Sequence, residues 1–140
     1  MLKVYLAGPM TGIKAFNFPA FDLAAAELRW RGYEVVSPAE MDNPESRAAA
    51  MASPDGAPGS GSSSGETWGD FLARDVKLLA DGGIEGIVCL PRWWASRGAR
   101  LETYVAYLCG IPVFAFNDYS AIARYHILDL VECWQGLAPT

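Results

Sequence analysis

The chain has one histidine, His126, and three cysteines, Cys89, Cys109 and Cys133. An odd cysteine count with no C-x-x-C pair argues against a disulfide scaffold and against a structural zinc site. A Ser-His hydrolase or a His-ligated metal would have to use His126. No serine or acidic motif adjoins it in Tyr125-His126-Ile127-Leu128, so it reads as structural. No apolar run approaches the ~18 residues needed to span a bilayer. The first seven residues run straight into Gly8-Pro9, too short a stretch for a secretory signal. These absences predict a soluble, cytoplasmic protein with no membrane partner. Basic residues are also few, 11 against 16 acidic for a net charge of −5, and they are scattered singly. Duplex nucleic acid wants a basic face, so a nucleic-acid polymer is not expected as a partner. A small anion stays compatible, because backbone N–H groups and one or two arginines can hold it locally. Neither G-x-G-x-x-G nor a P-loop is present. With no metal cluster and no histidine motif, the chemistry is sought among carboxylates.

What is there is one domain spanning residues 1–140, 51% hydrophobic and long enough to bury a core. Apolar β-type runs alternate with helical patterns. Strands are predicted at residues 3–7, 33–36, 84–90 and 112–116. Helices are predicted at 18–31, 67–80 and 98–109, with a last one over 118–134 capped by Asp118 or Ser120. In the first helix Phe21, Ala24, Ala25 and Leu28 share a face, with Pro19 near its start and Gly32 after it. The alternation predicts a flavodoxin-like (Rossmann-like) three-layer α/β sandwich around a parallel sheet of four or five strands. Periodicity disappears between residues 43 and 66. Of the 13 residues from 53 to 65, 11 are Ser, Gly or Pro, too polar and pliable to order themselves by burial. The span 43–66 therefore reads as a flexible surface loop, either a lid or a tolerated insertion.

Ligands of an open α/β sheet bind outside the carboxyl ends of the strands. Gly8-Pro9-Met10-Thr11-Gly12 follows the first strand; its glycines permit close backbone approach and Thr11 adds a hydroxyl, although a plain turn fits the same residues. After the third strand, Ser96 can cap the next helix, and its free N–H groups with Arg97 or Arg100 would suit a phosphate. Glu102 lies in the first turns of that helix, flanking an expected inward stripe of Leu101, Tyr104, Val105 and Leu108. There the helix dipole favours an ionised carboxylate, as a nucleophile requires. Asp75 occupies position i+7 of the stripe Trp68, Phe71, Leu72, Val76 and Leu79. A carboxylate in such a stripe is either paired, for example with Arg74 or Arg100, or used as an acid of raised pKa. Two carboxylates near one sheet mouth fit glycosidic-bond chemistry.

Three motifs then carry a resemblance. Val4 to Gly12 (VYLAGPMTG), Asn17 to Phe21 (NFPAF) and Ser96 to Glu102 (SRGARLE) resemble, in order, the nucleoside 2-deoxyribosyltransferase-like superfamily. More distantly the chain looks like the 2′-deoxynucleoside 5′-monophosphate N-hydrolases. The resemblance covers nearly the whole chain except the Ser/Gly-rich loop, and its motifs are specific for the superfamily but not for one activity. It implies that Glu102 is the nucleophile that attacks C1′ and forms a glycosyl-enzyme intermediate. It implies that Asp75 assists base departure and then activates the acceptor, and that Tyr5 orients Glu102. Ser96 and Gly98, six and four residues before the nucleophile, would hold a 5′-phosphate, with Arg97 between them. Gly8, Pro9, Met10, Thr11 and Gly12 would line the base and sugar pocket, with Asn17 and Phe18 contributing, or Asn17 serving only as a helix cap. The expected activity is hydrolysis or transfer of the N-glycosidic bond of a nucleoside 5′-monophosphate or deoxynucleoside, hydrolysis favoured, without cofactor or metal. The alternatives are a non-catalytic nucleotide-binding or sensing module and an NAD-type glycohydrolase, the latter lacking a second glycine-rich loop for the larger ligand. The relatives' assemblies imply a homodimer or higher homo-oligomer; Tyr119, Tyr125, Leu130 and Trp134 would supply an interface or, equally, pack in the core. Thr103-Tyr104 after Glu102, where the family often has Leu-Gly, and Trp93-Trp94 before Ser96 depart from the pattern. Those tryptophans would stack on a base, pack, or form an oligomer contact.

Overall fold

The structure, a computed structural model, describes residues 1–57 and 67–120. Its centre is a parallel sheet of β1 (Lys3–Ala7), β2 (Glu34–Val36), β3 (Gly86–Cys89) and β4 (Val113–Ala115) in the order β2-β1-β3-β4. This is the α/β arrangement expected from the alternation. Tyr5 lies in register with Val36 on one side and Ile87 on the other. The strand period of two divides β1 between two cores. Val4 and Leu6 join Phe21, Ala24, Ala25 and Leu28 of α1 (Phe18–Trp30) on one face of the sheet. Tyr5 and Ala7 face the other side, with Leu79 of α3 (Trp68–Asp81) and Ala99 and Ala106 of α4 (Arg97–Leu108). The helix faces follow from sequence: the four α1 residues that share a stripe are all essentially inaccessible to solvent.

Three local expectations change. The pattern-free span 43–66 is not loop throughout, because Pro44–Ala52 forms a helix, α2. Asn43 caps it by accepting from the Ser46 amide at 2.8 Å, and Pro44 opens it. Its alanine-rich composition supports a helix but shows no amphipathic stripe. Tertiary ties hold it instead: Arg47 pairs with Asp22 of α1 and donates to the Ala39 carbonyl. The inward face of α4 is Ala99, Glu102, Thr103 and Ala106, whereas Leu108 is 64% exposed. The hydrophobic stripe expected from sequence is thus offset from the buried face: Leu101, Tyr104 and Val105 are half-buried, with Val105 packed against the core, and Leu108 lies outside it. Finally, a right-handed helix does not begin at Asp118. The Asp118 carboxylate accepts from both the amide and hydroxyl of Ser120, and Tyr119 has φ +56°, which closes a local turn. The rest of the predicted last helix, with His126, Tyr125, Leu130, Cys133 and Trp134, lies outside the described residues, as do residues 58–66. Among the described residues no helix is long and apolar enough to cross a membrane.

Candidate active site

The carboxyl ends of β1, β2 and β3 open onto one cavity of about 560 Å³, within the size range of small-molecule sites. Gly8, Pro9, Met10 and Thr11 line it from the β1 side, Pro38 and Asp42 from beyond β2, and Ser96, Arg97, Gly98 and Glu102 from the start of α4. Trp68, Phe71, Leu72, Arg74 and Asp75 of α3 form the facing wall. The α3 stripe explains this placement. Only Leu79, at its C-terminal end, is fully buried, while Trp68 is 53% exposed. The apolar residues of the first two turns face the cavity rather than the core. Thr67 fixes where that wall begins, through a capping box with Asp70.

Glu102 is 6% exposed at the cavity's inner end. The fully buried Tyr5 donates its hydroxyl to Glu102 Oε2. Burial raises the Glu102 carboxyl to about 8, with Asp75 adding to the rise, while the Tyr5 hydrogen bond and the Arg74 charge work against it. The structure therefore corrects the expectation that a helix start keeps Glu102 ionised: desolvation outweighs the dipole. Tyr5 is pushed well above its ordinary value, by burial first and then by Glu102, so it stays a donor throughout the working pH range. Asp75 is also raised by burial, partly offset by Arg74. The Arg74 guanidinium donates from Nε to Asp75 Oδ1 and from Nη1 to Asp42 Oδ1, each at 3.2 Å. Asp75 is thus both paired and turned to the cavity, and its partner is Arg74 rather than Arg100.

Replacing Tyr5 by Phe removes one hydrogen bond to a buried carboxylate, worth about 1.5–3 kcal/mol. Tyr5→Phe is expected to strengthen the proton affinity of Glu102 by about tenfold or more. The Glu102 carboxyl 13C resonance, followed against pH, reads this directly; an unmoved midpoint would mean that the hydroxyl does not stabilise the ionised form.

Ser96 caps α4 by accepting from the Ala99 amide at 3.2 Å, which leaves the first N–H groups of the helix at the cavity edge. Arg97 stacks over the Trp68 ring with its guanidinium carbon 5.0 Å from the ring centroid, a contact joining the two cavity walls. Gly8 is needed for packing: a Cβ there would meet the Leu90 Cβ at 2.9 Å. Phe18 lines the cavity, whereas Gly12 and Asn17 do not. Gly12 has φ +85° and donates its amide to the Gly56 carbonyl at 2.8 Å. Asn17 is no side-chain cap of α1; its Nδ2 donates to the Pro9 carbonyl at 2.9 Å and holds the loop that does line the cavity. Trp93 is buried in the core, and neither Trp93 nor Trp94 reaches the cavity.

Sequence reading did not find Phe16, Asp42 or α2's Ala50 as cavity residues. Phe16 reaches it because Ala15, Phe16 and Asn17 all take left-handed φ values, between +50° and +61°. Such a run is strained for non-glycine residues, and no sequence signal announces it. Among the described residues no three His, Cys, Asp or Glu side chains come together as a metal site.

Fold and site together define an open α/β domain with a buried glutamate, a second carboxylate and a helix N-terminus around one cavity. Residues 2–55 match the family described as a domain of unknown function, DUF4406. That match takes in β1, the glycine loop, α1, β2 and α2 and stops short of α3 and α4. No curated protein and no solved structure matches the chain.

Proposed function

We propose that the protein cleaves the N-glycosidic bond of a nucleoside 5′-monophosphate or deoxynucleoside, with water or a second base as acceptor and hydrolysis favoured. The observation that carries this reading is Glu102. It is buried at the end of a cavity, accepts a hydrogen bond from Tyr5 on one oxygen and has Asp75 beside it. Glu102 attacks C1′ as the C1′–N bond breaks, and the bonding electrons leave with the base, which takes a proton from Asp75. The resulting glycosyl ester is opened by water, whose proton passes to the Asp75 carboxylate, regenerating Glu102. Ser96, Arg97 and Gly98, at the start of α4, suit the 5′-phosphate. Phe16, Phe18, Trp68 and Phe71 offer aromatic surface to the base.

The test is incubation with ribo- and deoxynucleoside 5′-monophosphates, the matching nucleosides and NAD, with and without an acceptor base, following free base by chromatography. Base release from one class, lost in Glu102→Ala, supports the reading and names the substrate. New nucleoside formed only with acceptor present makes the protein a transferase.

The pH profile follows from the carboxyl pair. The working form has Glu102 ionised and Asp75 protonated, so the pair must hold one proton. Glu102 holds that proton for most of the time up to about 8, so the reactive form, with the proton on Asp75, is the minor arrangement of the one-proton pair. Below the window a second proton enters the pair, and above about 8 the last one leaves. We expect kcat/KM to be bell-shaped, with its alkaline limb near 8. A rate still climbing above that point would remove the proton-donor role from Asp75.

One observation favours a second reading, a nucleotide-binding or sensing module. A Glu102 that holds its proton at neutral pH is a neutral hydrogen-bonding group suited to an uncharged ligand edge. Tight nucleotide binding that survives Glu102→Ala, with no base release from any substrate, would select it.

A further inference from the structure

Arg74 and Asp75 are adjacent on α3, and adjacent helical residues do not ordinarily face each other. Here the guanidinium turns back so that Nε meets Asp75, and it does so while Nη1 is held by Asp42 on the segment after β2. The Phe71 ring, one turn earlier on α3, lies under the same guanidinium, 5.2 Å from centroid to guanidinium carbon. Asp42 has an 11% exposed side chain and lines the same cavity. One cation is thus divided between two carboxylates, only one of which lies beside Glu102. The groups around Asp75 are Tyr5 from β1, Glu102 from α4, Arg74 from its own helix and Asp42 from beyond β2, and Arg97 of α4 lines the same cavity.

We propose that Asp42 is a positioning residue: by sharing Arg74 with Asp75, it raises Asp75's share of the proton that Asp75 and Glu102 hold between them. Glu102 holds the proton in the free protein below about 8, and an undivided Arg74 charge would keep Asp75 ionised and fix the proton on Glu102 more firmly still, the unproductive arrangement for a nucleophile. Asp42 draws part of that charge away and adds its own negative charge near Asp75, whose proton affinity it raises. Its chemical consequence rests on the glycosidic reading above; the proton placement itself does not.

The test is a 13C carboxyl titration of the free full-length protein, labelled in Asp and Glu, for wild type, Asp42→Asn, Asp42→Glu and Arg74→Gln. Asp42→Asn keeps a hydrogen-bond acceptor for Arg74 and removes only the charge. It is expected to widen the gap between the Asp75 and Glu102 midpoints. Arg74→Gln is expected to narrow that gap, and Asp42→Glu to restore the wild-type pattern. A structural role alone would not give opposite signs. In the base-release assay at neutral pH, Asp42→Asn is expected to lower kcat about tenfold, the effect of one pH unit in proton affinity, with KM little changed. An unchanged gap in both Asp42→Asn and Arg74→Gln would overturn the proposal. If the gap moves as expected but the wild-type protein turns over no substrate, the glycosidic reading fails and the proton-placing role stands.

Discussion

Glu102→Gln is expected to abolish base release and, at alkaline pH, to make the protein more stable than the wild type. The first effect follows if Glu102 is the nucleophile, as proposed: an amide cannot form the glycosyl ester, and the rate should fall on the order of 10³-fold or more. The second effect comes from burial. An unfolded glutamate has a pKa of about 4.5, while the folded Glu102 holds its proton to about 8. Between those values the folded state binds a proton that the unfolded chain has released. Folding stability therefore falls as pH rises through this window, and the fall is complete above about 8. The glutamine side chain has nothing to ionise, keeps the size of the glutamate and still accepts from Tyr5. The variant's advantage is near zero at about pH 4, grows through the window and reaches on the order of a few kcal/mol above it. For a chain of this length that is on the order of ten degrees in melting temperature. Thermal unfolding of both proteins at about pH 4.5, 6.5 and 8.5, which bracket the window, measures it. A constant difference across the three would mean that Glu102 does not carry a buried proton. Stability given up at one carboxyl is the expected cost of holding it out of water.

Gly56→Ala is expected to cost about 2–4 kcal/mol and to weaken ligand binding, although Gly56 does not itself line the cavity. Its φ is +66°, and an added Cβ would stand 2.2 Å from the Ile13 carbonyl oxygen and 2.7 Å from the Ile13 nitrogen. Neither is a side chain that can swing aside. The turn Ser53–Gly56 and the loop after β1 are laced together by Gly12 N–H to the Gly56 carbonyl and Ala15 N–H to the Ser53 carbonyl, both 2.8 Å. Forcing them apart releases the strained turn at Ala15 to Asn17 and moves Met10, Thr11 and Phe16, which do line the cavity. Urea unfolding should show the lower midpoint, and KM should rise more than kcat falls. A variant with wild-type midpoint and wild-type KM would show that the lacing does not shape the site. The region after Asn43, featureless in its periodicity, thereby gains a defined role, since its first part supports the glycine loop.

The parallel sheet, α1, α3, α4 and the carboxylates Asp75 and Glu102 were legible from residue order. Strands and helices announce themselves through local periodicity, as in Phe21, Ala24, Ala25 and Leu28, and the glycine loop and the Ser96 cap follow from where strands end and helices begin. An ionisable residue set into the apolar face of α3 was equally visible, because a carboxylate at Asp75 breaks an otherwise regular stripe.

Other features depend on contacts between segments distant in the chain. The face α4 buries could not be read from its hydrophobicity, since the site places Glu102 and Thr103 inward and leaves Leu108 in water. Asp42 belongs to no motif or stripe; it becomes part of the site only because β2 ends beside α3 and brings it to Arg74. The α2 helix has no stripe of its own and is held by Arg47 against α1. The left-handed turn at Ala15 to Asn17 persists because contacts from Pro9 and Ser53 hold it from outside. Above all, the ionisation of Glu102 reversed between the two levels. A helix start favours charge by a fraction of a kcal/mol to about 2, whereas burial beside a second carboxylate opposes it more strongly. Periodicity is a local property that sequence order preserves; desolvation and charge coupling belong to the packed molecule.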